Sequence, residues 1–157
     1  MLSKLQSMRN EREQGFTLVE IIIVVVIIAI LAAVAIPLYL NFKKNAIDSD
    51  AKSDAVNAAK QVEAFYQKDP QATFTELHID NTGIIDGTVP TGDLNADNIK
   101  VSKGNTLYVV PQPKMGEFLI EVINHNGKEA DKGIWYDSVD GGLVEGRPAK
   151  APAPYEG

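Results

Sequence analysis

The chain of 157 residues has no cysteine, two histidines and one tryptophan, and only 7% of it is aromatic. Without cysteine there are no disulfides, no thiolate zinc sites and no thiol nucleophile, so an exported domain of this sequence must be held by its core alone. His78 and His125 stand apart with no ligand pattern around them, and each reads as a surface or turn residue. No nucleophile elbow, phosphate loop or zinc-helix motif occurs, and the serines lack a recognisable base arrangement. No enzyme activity, catalytic residue, metal or cofactor is expected. Basic residues are also in the minority, with 15 Lys and Arg against 21 Asp and Glu and a formal charge of −6. General nucleic-acid binding through charge is therefore not expected, because phosphate contacts need a positive surface.

Charge is scarcest in residues 16–40, a run of 25 positions in which Glu20 is the only charged side chain. At ~1.5 Å rise per residue, a helix of this length crosses the ~30 Å hydrocarbon core of a bilayer. A carboxylate inside such a helix costs roughly 2.5 to 3.5 kcal/mol, so it is kept where a partner exists. The run holds no Lys, Arg or His, which points to a partner on another molecule or at a chain terminus. The plainer alternative is that Glu20 snorkels to the headgroups. Residues 1–15 carry Lys4, Arg9 and Arg12 with Glu11 and Glu13, and have no apolar core of their own. A secretory signal would place its small-residue cut site behind the apolar stretch, where Pro37-Leu38-Tyr39-Leu40 stands instead. Gly15 is the sensible cleavage position, since a residue without a side chain lets a protease approach the backbone. Losing three bases and two acids with that leader takes the side-chain charge from −6 to −7.

The run Gly15-Phe16-Thr17-Leu18-Val19-Glu20-Ile21-Ile22-Ile23-Val24-Val25, with Pro37 further on, resembles the class III signal and N-terminal helix of a type IV prepilin. The resemblance implies that residues 1–15 are a leader cut between Gly15 and Phe16 by a membrane-embedded aspartyl prepilin peptidase. It implies N-methylation of the new Phe16 amine, and pairing of Glu20 with the Phe16 amine of a neighbouring subunit. An α-amino group is cationic near neutral pH, which answers the question of a partner. Phe16, Glu20 and Pro37 are then assembly residues. The implied partners are further copies in a homopolymeric filament, the peptidase, the pilus assembly machinery, and membrane lipid before assembly. The implied location is the cytoplasmic membrane as a single-pass protein, then an extracellular pilus serving adhesion, twitching motility or DNA uptake. Many Gram-negative type IV pilins carry a C-terminal disulfide loop that this chain lacks. A type II secretion pseudopilin and a non-polymerising membrane-anchored binding protein are the alternatives.

Beyond the membrane-length run, residues 41–68 read as an amphipathic continuation of the helix. Ile47, Ala51, Ala55, Ala58, Val62 and Phe65 draw one stripe, with Asp48, Asp50, Lys52, Asp54, Lys60 and Glu63 mostly off it. Asp69-Pro70 ends the helix, because the residue before proline is pushed out of the helical region. Pro37 removes a donor inside it, so a bend or unwound stretch is expected there, with or without melting on assembly. Residues 69–146 form the head. It begins with a polar connector over residues 71–100 whose composition reads as loop, with residues 74–79 the candidate for a short element. Strands are expected at residues 106–110, 117–124 and 133–139, with a possible last one at Leu143-Val144. The fold class is α+β, a long N-terminal helix packed on an antiparallel sheet of three to four strands. Trp135, Tyr136 and Tyr108 read as core or sheet-face aromatics. Asp93-Leu94-Asn95-Ala96-Asp97 begins like a calcium loop but lacks its glycine and closing acid, and Asp137, Asp140 and Glu145 lack a specific spacing, so both read as turns. Residues 147–157, rich in Pro and Ala, read as an extended, mobile tail.

Overall fold

The structure, a computed structural model, describes residues 16–87 and 98–152. One helix, α1 (Leu18–Lys68), precedes six strands: β1 (Leu77–Asp80), β2 (Gly83–Asp86), β3 (Thr106–Pro111), β4 (Phe118–Ile123), β5 (Ile134–Asp137) and β6 (Gly142–Val144). The chain divides into two compact units, Met1–Leu40 and Asn41–Gly157, and α1 contributes to both.

In the first unit the helix is apolar on every side. Its large side chains from Phe16 to Leu40 are all at least 49% exposed. α1 runs unbroken through Pro37, so the unwinding expected there is not seen. Proline removes one backbone hydrogen bond, but long helical segments flank it on both sides. Nucleation is already complete there, and a single missing bond does not end the helix.

In the second unit the expected stripe packs on a sheet. Ala51, Ala55, Ala58, Ala59, Val62 and Phe65 are buried against Leu77, Ile79, Leu107, Val109, Phe118, Ile120, Val122, Ile134 and Tyr136. Four alanines in that stripe let the helix lie close to the strands, and alternate residues of each strand fill the interface. Tyr136 adds a polar anchor, its hydroxyl donating to Glu63 Oε1 at 3.0 Å.

The sheet is antiparallel throughout, in the order β2-β1-β3-β4-β5-β6. It therefore has six strands rather than three or four. The additional pair lies in the stretch read as connector, where β1 and β2 are four residues each. Their joining turn is held by Asp80 Oδ1, which accepts from the Thr82 amide at 2.7 Å and the Thr82 hydroxyl at 2.6 Å. Gly83 follows at φ 129°, a value that glycine adopts without steric cost. Leu77 and Ile79 are fully buried, while β2 is the largely exposed edge strand.

Two acids of α1 depart from the expected polar face. Asp54 is buried and accepts from the Ser102 amide (2.8 Å), the Ser102 hydroxyl (3.0 Å) and Asn105 Nδ2 (2.6 Å). Asn105 Oδ1 in turn accepts from Asn124 Nδ2. Asp48, also buried, accepts from the amides of Lys128 (2.9 Å) and Glu129 (3.3 Å). Loop amides buried against a helix need acceptors, and these carboxylates supply them.

The other sheet face carries a smaller cluster of Val110, Leu119 and Trp135, with Val144 and Ala151 packed against it. The start of the C-terminal segment covers this face instead of hanging free. Lys150 Nζ lies 2.8 Å from Asp137 Oδ2, the Ala151 amide donates to Pro148 O at 2.9 Å, and the Arg147 guanidinium sits 5.8 Å above the Trp135 ring. Apolar surface on that face attracts the segment despite its prolines, because its turn places Ala151 against the cluster. Residues 153–157 lie outside the described residues.

Candidate assembly site at the start of the helix

Three of the four residues singled out by sequence fall in the described part of the chain, and Gly15 lies outside it. Phe16 is 83% exposed and precedes α1 by two positions. Glu20 sits in the first helical turn. Pro37 is 17 positions beyond Glu20, about 25 Å along the helix at ~1.5 Å per residue, so it does not share the site.

Glu20 has a local partner, Thr17, besides any distant cation. Its Oε2 accepts from the Thr17 amide at 2.8 Å and from the Thr17 hydroxyl at 2.8 Å, while the Glu20 amide donates to Thr17 Oγ1 at 3.2 Å. This reciprocal pattern is a capping box: the first turn of a helix leaves amides unpaired, and a Thr followed three residues later by Glu satisfies two of them. The signal was present in Thr17-Leu18-Val19-Glu20. The carboxylate also lies at the positive end of the helix dipole, which favours its charge.

The cap does not exhaust Glu20. Both accepted bonds fall on Oε2, and a carboxylate offers about four lone-pair sites. Among the described residues no basic side chain forms a salt bridge with it. An exposed acid thus stands within one turn of Phe16, at the start of a helix that passes the length and hydropathy test for a membrane span.

The other candidate positions in the head have ordinary structural roles. His78 is half-buried in β1 with its ring 4.5 Å from that of Tyr108, and His125 is an exposed turn residue. Trp135 and Tyr136 are buried on opposite faces of β5. Burial pushes the Asp137 carboxyl up, but the Lys150 ammonium and the Val139 amide outweigh it and hold it below its ordinary value. Among the described residues no group of three or more His, Asp or Glu side chains is arranged to hold a metal ion. The calcium-loop-like stretch at residues 93–97 lies outside the described residues.

One comparison with known proteins bears on the same N-terminal segment. Residues 11–36 match the family model of the prokaryotic N-terminal methylation motif. The type IV major pilin protein PilA of Myxococcus xanthus (strain DK1622) is 41% identical over 66 residues, which is 41% of this chain and 30% of that relative. The chain therefore matches under a third of the relative's length. No solved structure matches the chain. The chain thus carries the prokaryotic N-terminal methylation motif and is similar, over part of its length, to a type IV major pilin.

Proposed function

We propose that the chain is a structural, non-enzymatic subunit of a type IV pilus. In this reading prepilin peptidase cuts after Gly15, the new Phe16 amine is methylated, and the subunit waits in the cytoplasmic membrane with residues 16–40 as its anchor. The assembly machinery then moves it into a homopolymeric surface filament whose core is built from that helix. Residues 41–68 and the sheet, with residues 69–146, form the head.

The observation that carries this reading is the apolar helix half, exposed all round, with one acid at its start. A helix that is apolar on every side needs lipid or other helices around it. Leaving lipid for a filament is tolerable because neighbouring copies of the same helix replace the acyl chains. The acid gives the filament a register: Glu20 of one subunit meets the Phe16 ammonium of the next, and the bond forms only after cleavage creates that ammonium. The two roles of Glu20 are compatible, since the cap aims the carboxylate and leaves lone pairs free.

Substitution separates the two roles. Glu20→Ala removes cap and charge, whereas Glu20→Gln keeps an acceptor for Thr17 and removes only the charge. Both variants are expected to be cleaved normally and to reduce sheared filament to background. Normal filament yield from Glu20→Gln would leave Glu20 as a cap alone and overturn the pairing.

A further inference from the structure

On the sheet face that carries Leu119 and Trp135, a cavity of about 470 Å³ opens beside β4. This volume is in the range that holds a small ligand. Its walls include Glu121 of β4, Asp131 and Lys132 from the loop into β5, and Arg147 from the segment after β6. Glu121 is 6% exposed, and its Oε2 is buried with no hydrogen-bond partner among the described residues. The backbone comes unusually close to this acid at Gly133, which adopts φ +66° and where any side chain would collide with Glu121 Oε1.

The charges around the cavity are unevenly committed. Lys132 Nζ lies 3.7 Å from Glu129 Oε2, and Arg147 is placed over the Trp135 ring. Burial pushes the Glu121 carboxyl up to about 7; Arg147 opposes that rise and Glu76 adds to it. Among the described residues neither cation forms a salt bridge with Glu121, and Asp131 adds a second acid to the wall.

We infer that this cavity binds a primary ammonium group carried on a short alkyl chain, with Glu121 as its buried acceptor and Asp131 as its outer one. An ammonium brings three donors and a positive charge, so it pairs with the Glu121 carboxylate where this residue lines the cavity and restores its ionised form. A neutral hydroxyl supplies only the donor, and an anion would meet two acids while the two cations of the wall are already engaged, Lys132 by Glu129 and Arg147 by the Trp135 ring. The groups set around Glu121 are Glu76, Tyr108, His125, Asp131, Lys132 and Arg147.

The chain carries its own reporter, because Trp135 is its one tryptophan, stands across the strand from Glu121 and donates to Lys132 O at 3.0 Å. Full-length protein in detergent micelles is titrated with n-butylammonium chloride at constant ionic strength, with n-butanol as the neutral control, and Trp135 fluorescence is followed. A saturable response to n-butylammonium alone is expected. Its affinity should rise about tenfold from pH 6 to pH 8, as the ionised fraction of Glu121 rises by that factor. Glu121→Gln should weaken binding at least tenfold and remove most of that pH dependence, and Asp131→Asn should weaken it several-fold. An equal response to n-butanol, or wild-type binding by Glu121→Gln, overturns the assignment. Should Glu121→Gln lose its cooperative melt, Asp131→Asn decides: weakened binding supports the site and unchanged binding overturns it. The same titration on sheared filaments, which relies on the pilus reading, distinguishes the source of the amine. A response seen in micelles but blocked in filaments assigns it to a lysine of a neighbouring copy, and equal responses assign it to a soluble amine.

Discussion

The two halves of α1 use apolar residues in opposite ways. From Phe16 to Phe42 the large apolar side chains are 49–83% exposed, whereas from Ala51 to Phe65 the stripe residues are at most 4% exposed. The second half finds its partner in its own sheet. The first has none within the described residues, so its stability must come from lipid or from other helices. The same division holds for the acids. Asp54 is satisfied by a loop of its own chain, while Glu20 is only partly engaged, by the cap at Thr17. One half of the helix thus completes a fold, and on the proposed reading the other is left to complete an assembly.

The contrast is tested first at the acids. Asp54→Ala would strand the Ser102 amide and the Asn105 side chain against the helix, and should destabilise the head by about 3 kcal/mol. Glu20→Ala should leave head stability unchanged. Thermal denaturation of both variants in detergent checks this, and equal losses would break the distinction between the halves. Smaller in effect are the alanines. Ala58→Leu adds volume where the helix meets the sheet and should cost about 1–3 kcal/mol. Ala29→Leu, on the exposed half, should leave the head's melting temperature where it is.

The smallest effect concerns Glu121, whose Oε2 is buried with no hydrogen-bond partner among the described residues. Its folded-state pKa of about 7 lies above the ordinary 4.5, so the folded state binds more protons between those values. Stability is then highest at low pH and falls as pH rises toward the folded value, the reverse of a salt-bridged carboxylate. Between pH 6 and pH 8 this amounts to about 1 kcal/mol. Glu121→Gln should remove that share of the slope in parallel denaturant titrations, and an unchanged slope would show that the acid is already compensated.

Much of this organisation is legible in the residue order. Twenty-five positions with one charge announce the exposed half, and Asp69-Pro70 marks a helix end that falls at Lys68. The strands β3, β4 and β5 show as alternating or continuous apolar runs between turns. β1 and β2 do not, because each is four residues long and their polar turn dilutes the pattern. Asp48 and Asp54 read as solvent-facing because their partners lie 48 to 81 positions away. Glu121 occupies an outward strand position, and its burial comes where the loop at Gly133 and the segment after β6 close over that face. The cap at Thr17 was legible, since its four residues are contiguous, but a carboxylate in an apolar run directs attention to remote cations.

The most direct test is mass spectrometry of the N-terminus in sheared, high-molecular-weight surface material. A chain beginning at N-methylated Phe16 is the expected result on the proposed reading, in which cleavage creates the ammonium that Glu20 meets in a filament. Polymer whose subunits retain residues 1–15 would contradict the account.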